Sequence, residues 1–479
     1  MKILLFFLLL ILAFFLVLVY RTLSVKSKTT FYEYSKDEKR INEYATKLSK
    51  MVKYETVSDR DKPDPKKFRG FHKVLAKQFP TLFKQLEVID IDGNLLIKWP
   101  GKNKKLKPLM LISHMDVVEA TGKWSHEPFS GDIDDTYVWG RGASDTKCSL
   151  MALLQASEEL LKEGYKPKCD VYLGSSCTEE IGGDGAPKIV DYLKKKGVKL
   201  YMLCDEGGSL VEDPIGGIKG QFAAIGIFEK GYGDLKFIAK SNGGHASTPT
   251  KGTPIPRLAA FINHVEKHNP FKVEFSKAVD AFLSNMAPYC SNFGLKIVMA
   301  NEDILKPLLK LLMPKISAEA AAMLQTTIAF TMQKGSDGYN VLPQNAWVTA
   351  NLRYIPHQKK DESNKLIADI ASRYGLETEI VTANDPSKEL DLNSKQFKMV
   401  VKTVNQIFPG VGIMPYVVTG GTDARFYGKI CDHLVRFSPV MYGKEQLEAM
   451  HGLNENIKKA TLPMAVDYYK AIIKAQEER

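Results

Sequence analysis

Cysteine is scarce and scattered: the 479 residues hold six, with no Cys-x-x-Cys pair. That excludes a disulfide framework as the main source of stability, and it excludes the thiol-rich zinc and redox motifs. Cys148, Cys169, Cys177, Cys204, Cys290 and Cys431 are instead expected as buried thiols. Aromatic residues are missing where a nucleic acid would need them. The net charge is +11, yet Lys102 to Lys107 and Lys194 to Lys196 have no interleaved aromatics. No nucleic-acid partner is expected, only solvated faces or mild attraction to an anionic membrane surface. A third absence lies near the start. After the apolar run Ile3 to Tyr20, the stretch Arg21-Thr22-Leu23-Ser24-Val25 offers no small-x-small cleavage site. At about 1.5 Å per residue the run can cross about 30 Å of hydrocarbon, so residues 1-21 are expected to anchor the chain in a membrane. A cleaved signal peptide, which Lys2 also suits, is the rival reading, and the flanking charges do not settle orientation.

The length calls for two domains, or one with a large insertion. Residues 22-36 are polar and suit a tether. Helices are expected over 37–52, 65–79, from about 145 to an end at Gly164, and over 187–196, and strands over 95–99, 109–112, 170–174 and 200–204. This alternation argues for an α/β fold, a mostly parallel sheet with helices on both faces. Strands 95–99 and 109–112 are expected as neighbours across a Lys-rich turn. Residues 223-385 contain a β-α-β-β-α-β order, the plan of a small inserted α+β unit. The first pattern then resumes over 386-479, so residues 37-222 and 386-479 form one domain in two parts.

The strand Leu109 to Ile112 leads into Ser113-His114-Met115-Asp116. Residues two apart project to one side, so Asp116 can hydrogen-bond one ring nitrogen of His114 and leave the other for a metal. Alone, the pair also reads as a satisfied histidine at a strand end. Asp145, at the start of the helix that ends at Gly164, likewise reads as an N-cap. The wider pattern is more telling. His114, Glu179-Glu180 and Asp205 each follow the C-terminal end of an expected strand, and such ends converge at one edge of the sheet. Crowded carboxylates raise one another's pKa and need a counter-ion. Oxygen and imidazole donors without a thiol suit Zn²⁺, with Mn²⁺ or Co²⁺ as alternatives.

Seven ordered motifs carry a resemblance: His114-Met115-Asp116; Gly140-Arg141-Gly142 with Asp145-x-Lys147; Glu179-Glu180-x-Gly182-Gly183; Asp205-Glu206-Gly207; Gly244-His245-Ala246-Ser247; Gly420-Gly421-Thr422-Asp423; and His451-Gly452. Together the sequence resembles the dizinc hydrolases of metallopeptidase family twenty, which includes aminoacylase, acetylornithine deacetylase and carnosine-type dipeptidases. Pro128-Phe129-Ser130-Gly131 and the long insertion are most similar to its carboxypeptidase S and N-fatty-acyl-amino-acid hydrolase branch. The resemblance implies a zinc-exopeptidase-like catalytic domain with a ferredoxin-like lid or dimerisation domain. It also implies two zinc ions, with Asp145 bridging them, His114 and Asp205 completing one site, and Glu180 and His451 the other. Glu179 would be the general base and Asp116 the residue that orients His114. His245 would stabilise the oxyanion, in some members from across a dimer, so a homodimer is compatible. Asn340, Arg353 and the turn Gly420-Gly421-Thr422 would hold a substrate carboxylate.

The reading is a membrane-tethered amidohydrolase acting on N-acyl amino acids. A carboxypeptidase or dipeptidase is the runner-up, and a catalytically inactive binding scaffold the rival of another class. The body is expected on the extracytoplasmic or lumenal side, and secreted if the first segment is cut.

Overall fold

The computed structural model describes residues 2–479. Eight strands form its large sheet, in the order Glu87–Ile91, Asn94–Trp99, Val171–Ser175, Leu109–Ile112, Met202–Glu212, Leu434–Tyr442, Gln221–Glu229 and Gly412–Val418. The third to sixth of these run parallel. Alternate side chains feed two separate cores. Leu109 and Leu111 meet Leu150, Leu154 and Ile472 from the helices Lys147–Lys162 and Leu462–Lys474. Met110 and Ile112 meet Ile189, Leu193 and Tyr427 on the other face. A strand covered on both faces must be apolar throughout, so Leu109–Ile112 reads as an unbroken run.

One expected pairing is corrected. Strands 95–99 and 109–112 are not neighbours, because Val171–Ser175 lies between them, antiparallel to the first and parallel to the second. The Lys-rich segment is held elsewhere: the N–H groups of Lys102 and Asn103 donate to the carbonyls of Pro167 and Lys168, at 2.9 and 2.8 Å. A central place gives the apolar strand parallel partners on both sides, which a hairpin would have denied it.

The smaller sheet has the order Thr327–Lys334, Asn345–Arg353, Tyr232–Lys240, Leu376–Asn384, and every pairing in it is antiparallel. Helices Pro254–Lys267 and Lys360–Ser372 share its core through Leu258, Phe261, Ile367 and Ile370. Along the chain this is the expected β-α-β-β-α-β order. The chain leaves the large sheet at Lys230 and Gly231. A Cβ on Gly231 would stand 2.4 Å from the Asn384 carbonyl oxygen, so only glycine lets the outgoing and returning segments lie so close.

Two further segments pack in ways their composition does not announce. Helices Lys277–Met286, Phe293–Ala300, Glu302–Ile316 and Ala318–Leu324 join the large core, through Val279, Phe282, Leu283 and Met299 among others. Residues 22-36, read as a tether, are strapped to the body. Gln221 N–H donates to Thr30 Oγ1 at 2.6 Å, Phe31 N–H donates to the Gly410 carbonyl at 3.0 Å, and Tyr32 is buried against Phe408. Before the strap, Lys2–Ser24 is one helix with an 18-residue stretch of mean hydropathy 3.3, buried only at Leu18 and Thr22.

Candidate metal centre and its cleft

His114 leaves the end of Leu109–Ile112 and is buried. Its Nδ1 lies 2.9 Å from the backbone carbonyl of Asp116, a bond in which the ring nitrogen donates. That fixes the tautomer and leaves the Nε2 lone pair free for a metal. The Asp116 carboxylate, expected to make this bond, stands 3.6 Å from Nδ1. Its two oxygens accept instead from the backbone N–H groups of Glu179 and Glu180, each at 3.1 Å. Asp116 thus holds the acidic loop in place.

Asp145 is not an N-cap. Thr146 stands at the N-cap position without a side-chain cap bond, while Asp145 points into the cluster. Its Oδ1 is 3.2 Å from His114 Nε2 and its Oδ2 is 3.1 Å from His451 Nε2. Glu180 Oε2 lies 3.0 Å from the same His451 nitrogen. On the other side of His114, Glu206 Oε1 approaches Nε2 at 3.3 Å. The structure gives Asp205 a different place: its carboxylate accepts from the N–H groups of Glu206 and Ala424, at 2.8 and 2.7 Å. The strand there continues from Met202 to Glu212, and adjacent residues of a strand face opposite ways. Only one of Asp205 and Glu206 can therefore face His114. Two donor groups result, His114, Asp145, Glu180 and His114, Glu179, Glu206, each with its atoms within 4.8 Å of one another.

Glu455 lies in none of the seven motifs, and nothing in its local sequence marks it. Fully buried, it accepts from the N–H groups of Gly142, Ser144 and Asp145 at 3.0, 2.8 and 2.9 Å, and from Arg141 Nη1 at 2.8 Å. It ties the loop bearing Asp145 to the segment bearing His451.

The electrostatics call for a cation. Burial pushes the Glu179 carboxyl well above its usual range, and the charges of Glu206, Asp423 and Asp116 add to this against His114. Burial likewise raises Glu180 to about 7. Burial alone would lower His114, but Glu206, Asp116 and Asp145 together carry it upward. Glu180 Oε1 is buried without a hydrogen-bond partner. An orphaned carboxylate oxygen among two imidazoles and four carboxylates fits a divalent metal of the Zn²⁺, Mn²⁺ or Co²⁺ class.

A cleft of about 290 Å³ opens beside the cluster, lined by Asp145 and Glu206, by Gly420 and Gly421, and by apolar Val418 and Met450. Thr422 lies in its wall, but its N–H and hydroxyl are committed to the Glu229 carboxylate at 2.9 and 2.7 Å. Arg353 stacks its guanidinium 4.7 Å above the Tyr232 ring, and its pKa is lowered by burial and by nearby Arg425. Arg425 is a second cation that the sequence reading left out. His245 and Asn340 lie together on an exposed two-stranded ribbon, where Ala246 N–H donates to the Asn340 carbonyl at 3.0 Å. There His245 Nδ1 pairs with Ser247 Oγ at 2.7 Å.

A family model described as Peptidase family M20/M25/M40 matches residues 110–475, from the strand before His114 to the last long helix. The chain belongs to this family. Among its relatives in the family, N-fatty-acyl-amino acid synthase/hydrolase PM20D1 of Xenopus tropicalis is 32% identical over 95% of this chain and 91% of its own length. Probable carboxypeptidase S-like 2 of Dictyostelium discoideum is 31% identical over 91% and 85%. The solved M20 metallo-carboxypeptidase Sso-CP2 from Sulfolobus solfataricus shares the fold, with a TM-score of 0.67 at 19% identity over 91% of this chain and 99% of that one. Membership makes this protein a hydrolytic enzyme of a metal-dependent family, and the cluster around Asp145 is its candidate metal site.

Proposed function

We propose that the protein is a dizinc amidohydrolase that cleaves the amide bond next to a free amino-acid carboxylate, with N-acyl amino acids as its substrates. The observation that carries this reading is the pair of Asp145 oxygens, one beside His114 and one beside His451. Asp145 would hold the ions together with His114 and Glu206 on one side and Glu180 and His451 on the other. When bound, the ions supply a nucleophile at neutral pH and polarise the scissile carbonyl. The chain's own residues do the rest. Glu179, raised by burial, takes a proton from the attacking water as the carbon–oxygen bond forms, and returns it to the nitrogen as the carbon–nitrogen bond breaks. Asp116 keeps Glu179 in place through its backbone N–H. Arg353 holds the substrate carboxylate, with Gly420 and Gly421 at the cleft floor and Asn340 and His245 brought in by the smaller unit acting as a lid. Val418 and Met450 offer the acyl group an apolar wall. Carboxypeptidase names among the relatives support a second reading, hydrolysis of peptides with a free C-terminus.

The test is hydrolysis by the zinc-loaded protein of N-acyl amino acids of rising chain length, set against dipeptides. Activity should rise with acyl length. Glu179→Gln should lower kcat by roughly 100- to 10,000-fold while metal content stays unchanged. Preference for dipeptides would promote the second reading, and no turnover on either panel with both ions bound would refute both.

A further inference from the structure

Helix Glu302–Ile316 turns an apolar face to solvent. Leu308, Leu311, Leu312 and Ile316 recur at three- and four-residue steps and are 50%, 59%, 40% and 75% exposed, whereas Leu309 packs inward. Phe293, on the preceding helix, is 49% exposed. A globular surface helix shows water its polar side. Single exposed leucines need no explanation, but a stripe of this kind marks a surface with an occupant.

The neighbouring element identifies that occupant. The apolar helix Lys2–Ser24 packs on Phe293–Ala300. Asn301, which immediately precedes the striped helix, donates its Nδ2 to the Leu18 carbonyl at 3.2 Å and to Thr22 Oγ1 at 3.1 Å. Arg21 pairs with Asp303 in the helix's first turn at 3.0 Å. Just beyond, Lys296 Nζ donates to the Val25 carbonyl and to Ser27 Oγ, each at 3.1 Å, and Lys28 N–H donates to the Pro288 carbonyl at 2.9 Å. The N-terminal helix is therefore clamped at its base and strapped along the body, not hung on a flexible linker. With its base fixed, the face of the body that meets a membrane entered by that helix is also fixed. The apolar stripe begins beside that clamp.

We propose that helix Glu302–Ile316, with Phe293, is a bilayer-docking surface seated at the headgroup–acyl boundary of the membrane that helix Lys2–Ser24 enters. Its length and one-sided apolarity suit an interfacial helix. Lys315 lies within the stripe, where its long stem can stay among the leucines while its ammonium reaches lipid phosphates. The inference rests on reading Lys2–Ser24 as membrane-inserted, and its test separates the two.

All six native cysteines are buried, so one introduced thiol can be labelled selectively in the full-length chain. Leu311→Cys, Phe7→Cys and Met332→Cys, the last on the smaller sheet, each receive an environment-sensitive fluorophore. The proteins are placed in phosphatidylcholine and phosphatidylserine vesicles carrying nitroxide-labelled lipid. The expected result is strong quenching at positions 7 and 311 and little at 332. Adding Leu308→Glu and Leu312→Glu should cut quenching at 311 several-fold and leave position 7 unchanged. Quenching at 7 without 311 overturns the docking surface and keeps the anchor. The reverse pattern overturns the anchor and with it the proposal as stated, leaving only an apolar stripe that binds lipid by itself, and quenching at neither position overturns both.

Discussion

At the scale of single residues, the candidate metal site turns on which of two adjacent acids faces His114. Asp205 and Glu206 both carry carboxylates, but the extended backbone sends one to the N–H groups of Ala424 and Glu206 and the other to His114. The two should respond differently to loss of charge. Glu206→Gln removes a donor, and the bound metal should fall from two ions toward one. Asp205→Asn should retain both ions with affinity lowered roughly 10- to 100-fold, as for a residue that supports a donor without touching the ion. Metal content by mass spectrometry after dialysis against graded chelator distinguishes the two. Equal loss in both variants would show that Asp205 also binds directly.

At the scale of elements, the cleft floor depends on a buried ion pair between two strands of the large sheet. Arg436, on Leu434–Tyr442, is fully buried and its Nε donates to Glu229, the last residue of Gln221–Glu229. The Glu229 carboxylate also receives both groups of Thr422, so one acid joins the sheet to the turn that follows Gly420 and Gly421. Removing one partner of such a pair strands a buried charge. Glu229→Gln is expected to lower unfolding stability by about 3–5 kcal/mol, read from urea denaturation. The loosened turn should also raise KM for a carboxylate-bearing substrate more than it lowers kcat.

At the scale of the whole molecule, the two units join at a buried lysine. Lys230 donates to the carbonyls of Ala322 and Gln325 at 2.9 and 2.8 Å, and burial, aided by the charge of Arg353, pushes its pKa from 10.5 down to about 7. Below pH 7 both folded and unfolded chains hold the proton, and the fold bears the cost of a buried ammonium. Between about 7 and 10.5 the unfolded chain binds more protons, so stability rises with pH across that window. Denaturation at about pH 6.5 and 9.5 should show most of this rise, roughly 3 kcal/mol of the roughly 5 kcal/mol at full extent. In Lys230→Met it should shrink by that amount.

The sequence by itself determined the parts whose physics is local. Apolar runs of strand length, helical periodicity and the position of His114 at a strand end were all legible, because spacing is decided within a few residues. So was the order of the inserted unit. Only the tertiary structure decided what depends on partners far away in the chain. It put Val171–Ser175 between two strands that sequence proximity had paired. It gave Glu455, which carries no local signature, the task of holding the Asp145 loop across 310 residues. It turned a polar tether into a strap through backbone and side-chain bonds at Thr30 and Phe31 and the buried Tyr32. It turned Glu206 toward His114 and Asp205 toward the N–H groups of Glu206 and Ala424, because strand alternation sends neighbours opposite ways.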